Sequence, residues 1–322
     1  MLSGAGWRYF GGRVVAGVAT LWMVSVLVFA ALHLVPGSYA EIVLGPFSSP
    51  QARAALTSEF GLDRPLVLQY AEWLRHLIVG DLGSSLGTGE PVTSQLVRRW
   101  PVTAELAMLS LLVTVVVGLP LAVLAGLARG RLGRGLSRLL GSSAMSTPDF
   151  VIGSLLVYVF SRFSLGLSGG EYVSLTADPL GNMRSMVLPA LTLSMFGVAL
   201  LVRTGRDAVV NVFSSPHVMA ALARGESMAH VIRHHVLRNA AVPVLTVLGT
   251  YVGYLMGGAV IVENLFSLPG LGQSVLSAIN GRDYAVVQGM VLVAAAAFIA
   301  INLLADFAYG LVDPRIPAGH RG

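Results

Sequence analysis

Asn211-Val-Phe-Ser-Ser-Pro216-His-Val-Met219-Ala220-Ala221-Leu222-Ala223-Arg224-Gly225-Glu226-Ser-Met-Ala-His230-Val-Ile-Arg233-His234-His235-Val-Leu-Arg238-Asn239 stands between two apolar runs, Met186–Val202 and Ala240–Val262. Met219–Arg224 favours a short helix. Gly225 ends it, because glycine accepts the φ > 0 turn that follows a helix C-terminus. A second helical piece runs to Asn239. The small side chains of Ala220, Ala221 and Ala223 allow close approach by another surface. Such a helix-turn-helix between two membrane-length runs is either a lever that a soluble partner grips or a plain solvated connector.

Working outward, four more apolar runs reach the roughly 20 residues that a spanning helix needs. They are Val14–Val35, Val102–Ala128, Gly141–Phe163 (interrupted by Pro148) and Tyr284–Leu311. The first follows Arg8 and Arg13 and stops at Pro36-Gly37. It is too long for the apolar part of a signal peptide and no small-x-small cleavage site follows, so it reads as a retained helix. The expectation is an all-α, polytopic membrane protein with six transmembrane helices.

Composition agrees. Of 322 residues, 55% are hydrophobic and only 11% charged, and mean hydropathy is +0.75. A soluble domain is roughly a quarter charged, so this chain lacks the polar residues to cover a solvated surface. All 21 basic residues are arginine, and without lysine no P-loop lysine exists. Cysteine is absent, which removes disulfides, thiolate metal sites and cysteine nucleophiles. The net charge of +5 reads as basic cytoplasmic loops in a lipid bilayer, not as nucleic-acid binding.

The arginines orient the chain. Arg129, Arg131, Arg134 and Arg138 follow the second run with no acid among them, and Arg206, Arg224, Arg233 and Arg238 fall in the connector. Residues 39–100 instead balance Arg53, Arg64, Arg75, Arg98 and Arg99 with Glu41, Glu59, Asp63, Glu72, Asp81 and Glu90, and Leu66–Val79 reads as an amphipathic helix. By the positive-inside rule both termini are cytoplasmic and 39–100 lies outside. The expected organisation is 1–38 for an N-terminal segment and first helix, and 39–100 for an extracytoplasmic segment. A core of 101–312 follows, with a cytoplasmic loop at 203–239, and then a cytoplasmic tail at 313–322.

Met219-Ala220-Ala221-x3-Gly225 resembles the Glu-Ala-Ala-x3-Gly loop of ABC-transporter permeases, with Met at the Glu position as in the peptide branch. The resemblance to the dipeptide/oligopeptide/nickel importer family spans nearly the whole chain. It includes Leu32-x-Leu34-Val35-Pro36-Gly37, Gly61-Leu62-Asp63-Arg64-Pro65-Leu66 with Gln69-Tyr70, Gly80-Asp81-Leu82-Gly83-x-Ser85 and Pro91-Val92. Leu188-Pro189-Ala190-Leu191-Thr192-Leu193, Leu237-Arg238-Asn239-Ala240-x2-Pro243 and Phe266-Ser267-Leu268-Pro269-Gly270-Leu271-Gly272 continue it. It ends with Arg282-Asp283-Tyr284-x-Val286-Val287-Gln288-Gly289, Asn302-Leu303-Leu304-x-Asp306 and Leu311-x-Asp313-Pro314-Arg315-Ile316.

The resemblance implies a type I importer permease in a bacterial inner membrane. It would form half of a pathway for peptides, or for nickel or another solute. Its implied partners are a second homologous permease, two cytoplasmic ATP-binding subunits and an extracytoplasmic substrate-binding protein. The same resemblance makes Met219, Ala220, Ala221, Leu222, Ala223, Arg224 and Gly225 the coupling helix that docks in an ATPase cleft. The chain itself would be no enzyme and hold no cofactor.

Other features carry weaker readings. Leu167-Ser168-Gly169-Gly170-Glu171 resembles an ATPase signature loop, but it lies in a predicted outer loop and reads as a flexible turn. His230, His234 and His235 suit a metal in ligand type, yet read as solvated interfacial residues with no metal expected. Gly249, Gly253 and Gly257 give two small-xxx-small steps that allow helix packing within the bundle or against a partner permease. Asn302 and Asp306 form either a pathway pair or a structural polar contact. Glu105, Asp149 and Glu263 fall near span ends and read as interfacial. An intramembrane enzyme would need a signature such as His-Glu-x-x-His or paired intramembrane Asp, and neither is present. An ion-driven transporter would bring inverted repeats and buried charge pairs.

The topology has a direct check, since single cysteines enter a cysteine-free background. An impermeant maleimide should label Ser49→Cys in intact cells and spare Ser137→Cys; the reverse pattern contradicts the orientation.

Overall fold

A computed structural model of the chain describes residues 4–34, 39–45, 47–59, 61–128, 146–163 and 172–312, without the side chains of 4–10, 39, 42–43, 59 and 305–312. The arginine loop at 129–138, the Leu167–Glu171 turn, the start of the third predicted span and the tail from 313 lie outside these residues. Among the described residues every regular element is helical, apart from one isolated bridge between Ser84 and Pro91. The chain divides into two compact units, one built from the chain up to Pro101 and from Gln273 onward, the other from Val102–Gly272.

The first unit holds α1 (Gly4–Leu34), α2 (Tyr39–Leu44), α3 (Pro50–Glu59), α4 (Leu66–Ile78) and the start of α5 (Val92–Val113), with the end of α12 (Leu271–Asn280) and α13 (Tyr284–Val312). Pro65 precedes α4 at its N-cap and Val79 closes it, so the predicted amphipathic helix forms one residue shorter. Gly17 of α1 lies where a Cβ would sit 2.8 Å from Ile299 of α13. His33 stacks between Phe29 and Tyr284, with centroids 4.3 and 5.4 Å away. Asp283, just before α13, accepts from the buried Ser85 hydroxyl at 2.5 Å and from the Leu86 amide at 3.2 Å. Gly83-x-Ser85-x-Gly87 has the spelling of a hydrolase nucleophile elbow, but its hydroxyl is spent on Asp283 and it sits in a turn, not between a strand and a helix.

The second unit continues α5 through a π-helical turn (Thr114–Gly118) into α6 (Leu119–Leu127). It then adds α7 (Asp149–Arg162), α8 (Pro179–Phe213), α9 (Pro216–Ala223), α10 (Met228–Val231), a second π-helical turn (Ile232–Val236) and α11 (Leu237–Leu265). The axis of this unit is α8, whose apolar window is 61% buried against 17% for α1. Helix α6 and α11 both lie along it. At Gly197 a Cβ would stand 2.5 Å from the Tyr251 ring, at Gly205 2.9 Å from Ala122, and at Gly126 2.6 Å from Val209. Lipid tails are as apolar as leucine, so such backbone approaches, not hydrophobic expulsion, hold membrane helices together. Tyr251 is wholly buried there and its hydroxyl donates to the Leu193 carbonyl at 3.1 Å.

Among the described residues, five segments are long and apolar enough to cross a membrane: Gly11–Leu34, Val92–Leu127, Pro179–Phe213, Met228–Leu265 and Tyr284–Leu304. The third predicted span is described only in part; α7 starts behind Pro148 and has 14 residues, about 21 Å. Helices α1, α5, α8 and α11 all overrun their predicted spans. Helix α8 has 35 residues, about 50 Å against a hydrocarbon core of about 30 Å. Arg203 and Arg206 end the apolar run at Val202 but not the helix, which continues to Phe213. Likewise α5 starts at Val92 and passes through Pro101.

Candidate functional site

Helix α9 is set by its ends. Pro216 takes the first helical position, where its missing N–H costs nothing. At the other end Gly225 adopts φ +86. Its amide donates to Leu222 O at 3.0 Å and the Glu226 amide to Ala221 O at 3.2 Å. This pair of bonds is the Schellman closure, which satisfies the orphan carbonyls of the last turn.

The helix has two faces. Val218 and Ala221 are wholly buried in a cluster with Ala208 and Val209 of α8, Val231, Val236 and Ala240. Met219, at 57%, is exposed, as are Ala220, Ala223, Arg224 and Gly225, while Leu222 is half-buried. The small side chain of Ala221 fits α9 onto its own chain, and Met219, Ala220, Ala223 and Arg224 form the exposed side of the helix.

Beyond the turn, Glu226 accepts from Arg224 at 2.8 Å and meets His235 Nε2 at 3.1 Å. The Arg224 hydrogen bond, with help from His235 and against partial desolvation, holds the Glu226 carboxyl below the usual carboxylate range. Ser227 caps α10 by accepting from the His230 amide at 3.4 Å. The three histidines do not act as a set. His230 and His235 turn toward Glu226, whereas His234 stacks on His230 at 4.1 Å.

The other sequence candidates part ways. On α11, Gly249 and Gly253 are half-buried and Gly257 is exposed, with nothing within 4 Å of a Cβ built there. The close approach falls one residue on, at Gly258, where a Cβ would meet Leu193 at 2.7 Å. Among the described residues, Gly257 therefore has no close packing partner. Asn302 donates to Phe298 O of its own helix at 2.8 Å, and the Asp306 side chain lies outside the described ones.

Two acids read as interfacial are buried. Glu263 is fully buried and Asp149 7% exposed. Thr103 donates to Glu263 at 2.5 Å and its oxygen accepts the Leu271 amide at 2.9 Å. Gly270 lies so close to the Glu263 carboxylate that a Cβ would collide with it. Asp149 accepts from the Tyr254 hydroxyl. Glu105 is half-buried and accepts from Tyr172 at 3.2 Å. A buried membrane carboxylate is costly unless partnered, and these partners lie up to 160 residues away. Proximity in sequence could not reveal them.

Long apolar helices around a buried axis, with one exposed capped helix between two spans, are the architecture of a polytopic membrane protein. Residues 118–317 match the family described as binding-protein-dependent transport system inner membrane component, and residues 7–107 match the N-terminal region of such components. The chain belongs to that family. It is 35% identical over 304 residues to a probable peptide ABC transporter permease of Sinorhizobium fredii, covering 94% of this chain and 97% of that one. It is 36% identical over 307 residues to a putative peptide transport system permease of Brucella suis, with 94% and 97% covered. It is 34% identical over 304 residues to a glutathione transport system permease of Salmonella typhimurium, again with 94% and 97% covered. A crystal structure of an amino acid ABC transporter with histidines shares the fold, at TM-score 0.50 and 16% identity over 69% of this chain and 94% of that one. The protein is thus a permease subunit of an ABC importer in the membrane and not an enzyme; ATP hydrolysis lies on separate subunits.

The Thr103 bridge yields a stability test. Thr103→Val removes the hydroxyl, which takes one hydrogen bond from buried Glu263 and the side-chain acceptor from the Leu271 amide, a loss of about 1–3 kcal/mol for a buried group left unsatisfied. The unfolding midpoint of the detergent-solubilised chain should fall clearly for Thr103→Val and little for Thr103→Ser. Equal midpoints would show that the bridge does not hold the Phe266–Gly272 loop.

Proposed function

We propose that this permease carries peptides across a bacterial inner membrane and is driven through α9. Peptide cargo is supported by the relatives, whose names specify peptides and glutathione at 34–36% identity along nearly the whole chain. The assembly that fits is two homologous permeases, two cytoplasmic ATP-binding subunits and an extracytoplasmic binding protein. Both termini then face the cytoplasm and 39–100 faces the binding protein, with 1–38, 39–100, 101–312 and 313–322 as the proposed divisions. Gly257, open among the described residues, fits close contact with the second permease, alongside Gly249 and Gly253. Asn302 and Asp306 are assigned to anchoring the inner end of α13.

One observation carries the coupling assignment. Helix α9 presents Met219, Ala220, Ala223 and Arg224 outward while Val218 and Ala221 fix its back to α8. Ala220 and Ala223 leave room on the outer face for a close-fitting cleft, and a fixed back moves α8 when the cleft moves. Arg224 adds a charged edge, and Gly225 sets the turn.

Ala220→Asp tests this on the exposed face, where folding is spared. A charge buried unpaired in a contact costs several kcal/mol, more than the 1–3 kcal/mol typical of coupling. The variant should insert normally, lose the co-purifying ATPases and abolish peptide uptake in vesicles. Full association with full uptake would reduce α9 to a connector.

A further inference from the structure

Glu226, His230 and His235 bring one carboxylate oxygen and two imidazole nitrogens within 4.8 Å of one another. Glu226 Oε2 lies 3.1 Å from His235 Nε2 and 3.9 Å from His230 Nε2. Ligands held about 2.0–2.2 Å from a tetrahedral zinc ion stand about 3.3 Å apart, so these separations bracket the edge of such a site.

The backbone accounts for the convergence. In an α-helix, positions 230 and 235 would point about 140° apart. The π-helical turn Ile232–Val236 widens the helix between them and returns His235 to the side of His230. From the other direction, the left-handed turn at Gly225 sends Glu226 back across the start of α10. His234, which α-helical spacing would pair with His230, instead turns its Nδ1 to His230 O at 3.3 Å. Access is open, since the His230, His235 and Glu226 side chains keep 52%, 31% and 26% of their surface. Arg224 holds the second carboxylate oxygen and is itself 64% exposed, free to swing aside.

We propose that Glu226, His230 and His235 bind one divalent cation of the zinc type. Two imidazoles and one carboxylate suit such a borderline ion, whereas magnesium or calcium would want oxygen ligands. The ion would cross-link the turn behind α9 to the π-helical turn that leads into α11. Its bearing on ATPase coupling rests on the reading of α9 above; the binding does not.

The test uses the full chain, purified in detergent through a histidine-free tag and stripped with chelator. The probes are Zn²⁺ alone by calorimetry and Co²⁺ alone by visible absorption. The expected result is one Zn²⁺ per chain and a Co²⁺ spectrum of low coordination number. Glu226→Gln, His230→Gln and His235→Gln should each weaken binding at least about tenfold, and His234→Gln should not. As a readout independent of any variant, Zn²⁺ should shield His230 and His235 from diethylpyrocarbonate. Absence of stoichiometric Zn²⁺, unchanged binding in the three ligand variants, or shielding of other histidines instead would each overturn the site. Loss of ATPase association in Ala220→Asp is unaffected by any of these outcomes, so the two readings fail separately.

Discussion

Close backbone approach along α8 is the constraint on which the Val102–Gly272 unit depends. Within a bilayer, apolar side chains gain little by leaving lipid for protein, so helices associate where small residues let them touch and where buried polar groups find partners. Helix α8 supplies both conditions. Gly197 and Gly205 admit Tyr251 and Ala122, and Gly126 of α6 admits Val209. Tyr251 then returns a hydrogen bond to Leu193. A larger residue at Gly197 would meet an aromatic ring and the Thr114 hydroxyl together, and one of them would have to shift.

That packing explains how a surface helix can matter to the membrane interior. Helix α8 continues to Phe213, well past the apolar run that ends at Val202, and Ala208 and Val209 receive Val218 and Ala221 of α9. No flexible tether separates α9 from α8; only Ser214 and Ser215 intervene. A force on the outer face of α9 is therefore delivered to a helix that already touches α6, α7 and α11. The buried carboxylates mark the opposite requirement. Glu263, pinned by Thr103 and pressed by Gly270, fixes the Phe266–Gly272 loop to α5, and Asp149 fixes the start of α7 to Tyr254 of α11.

Helix class, membrane embedding and most spans are written in hydropathy, and they read correctly. Helix ends do not, because Arg203 and Arg98 end an apolar run without interrupting backbone hydrogen bonds. Gly225 was legible, since little else terminates a helix in that conformation. The inward side of Ala221 is written in the Val218, Ala221, Leu222 spacing, which is the i, i+3, i+4 pattern of a packed face, although an alanine by itself suits either side of a helix. Gly257 and Gly258 differ by one position, about 100° of helix rotation, and only the neighbouring helix decides which packs. The pairing of Glu226 with His235 was hidden because α-helical periodicity cannot anticipate a π-helical turn. The Thr103–Glu263 contact spans two distant helices and left no local trace.

The central claim is that α9 has one face for its own chain and one for the ATPase. Cysteine-by-cysteine cross-linking to the ATPase subunits, position by position from Val218 to Arg224 in the assembled complex, measures it most directly. The account predicts cross-links from 219, 220, 223 and 224 and none from 218 or 221. Cross-links as strong from 218 and 221 as from 220 and 223 would contradict it, because they would mean that α9 leaves α8 and that its buried face is the one the motor holds.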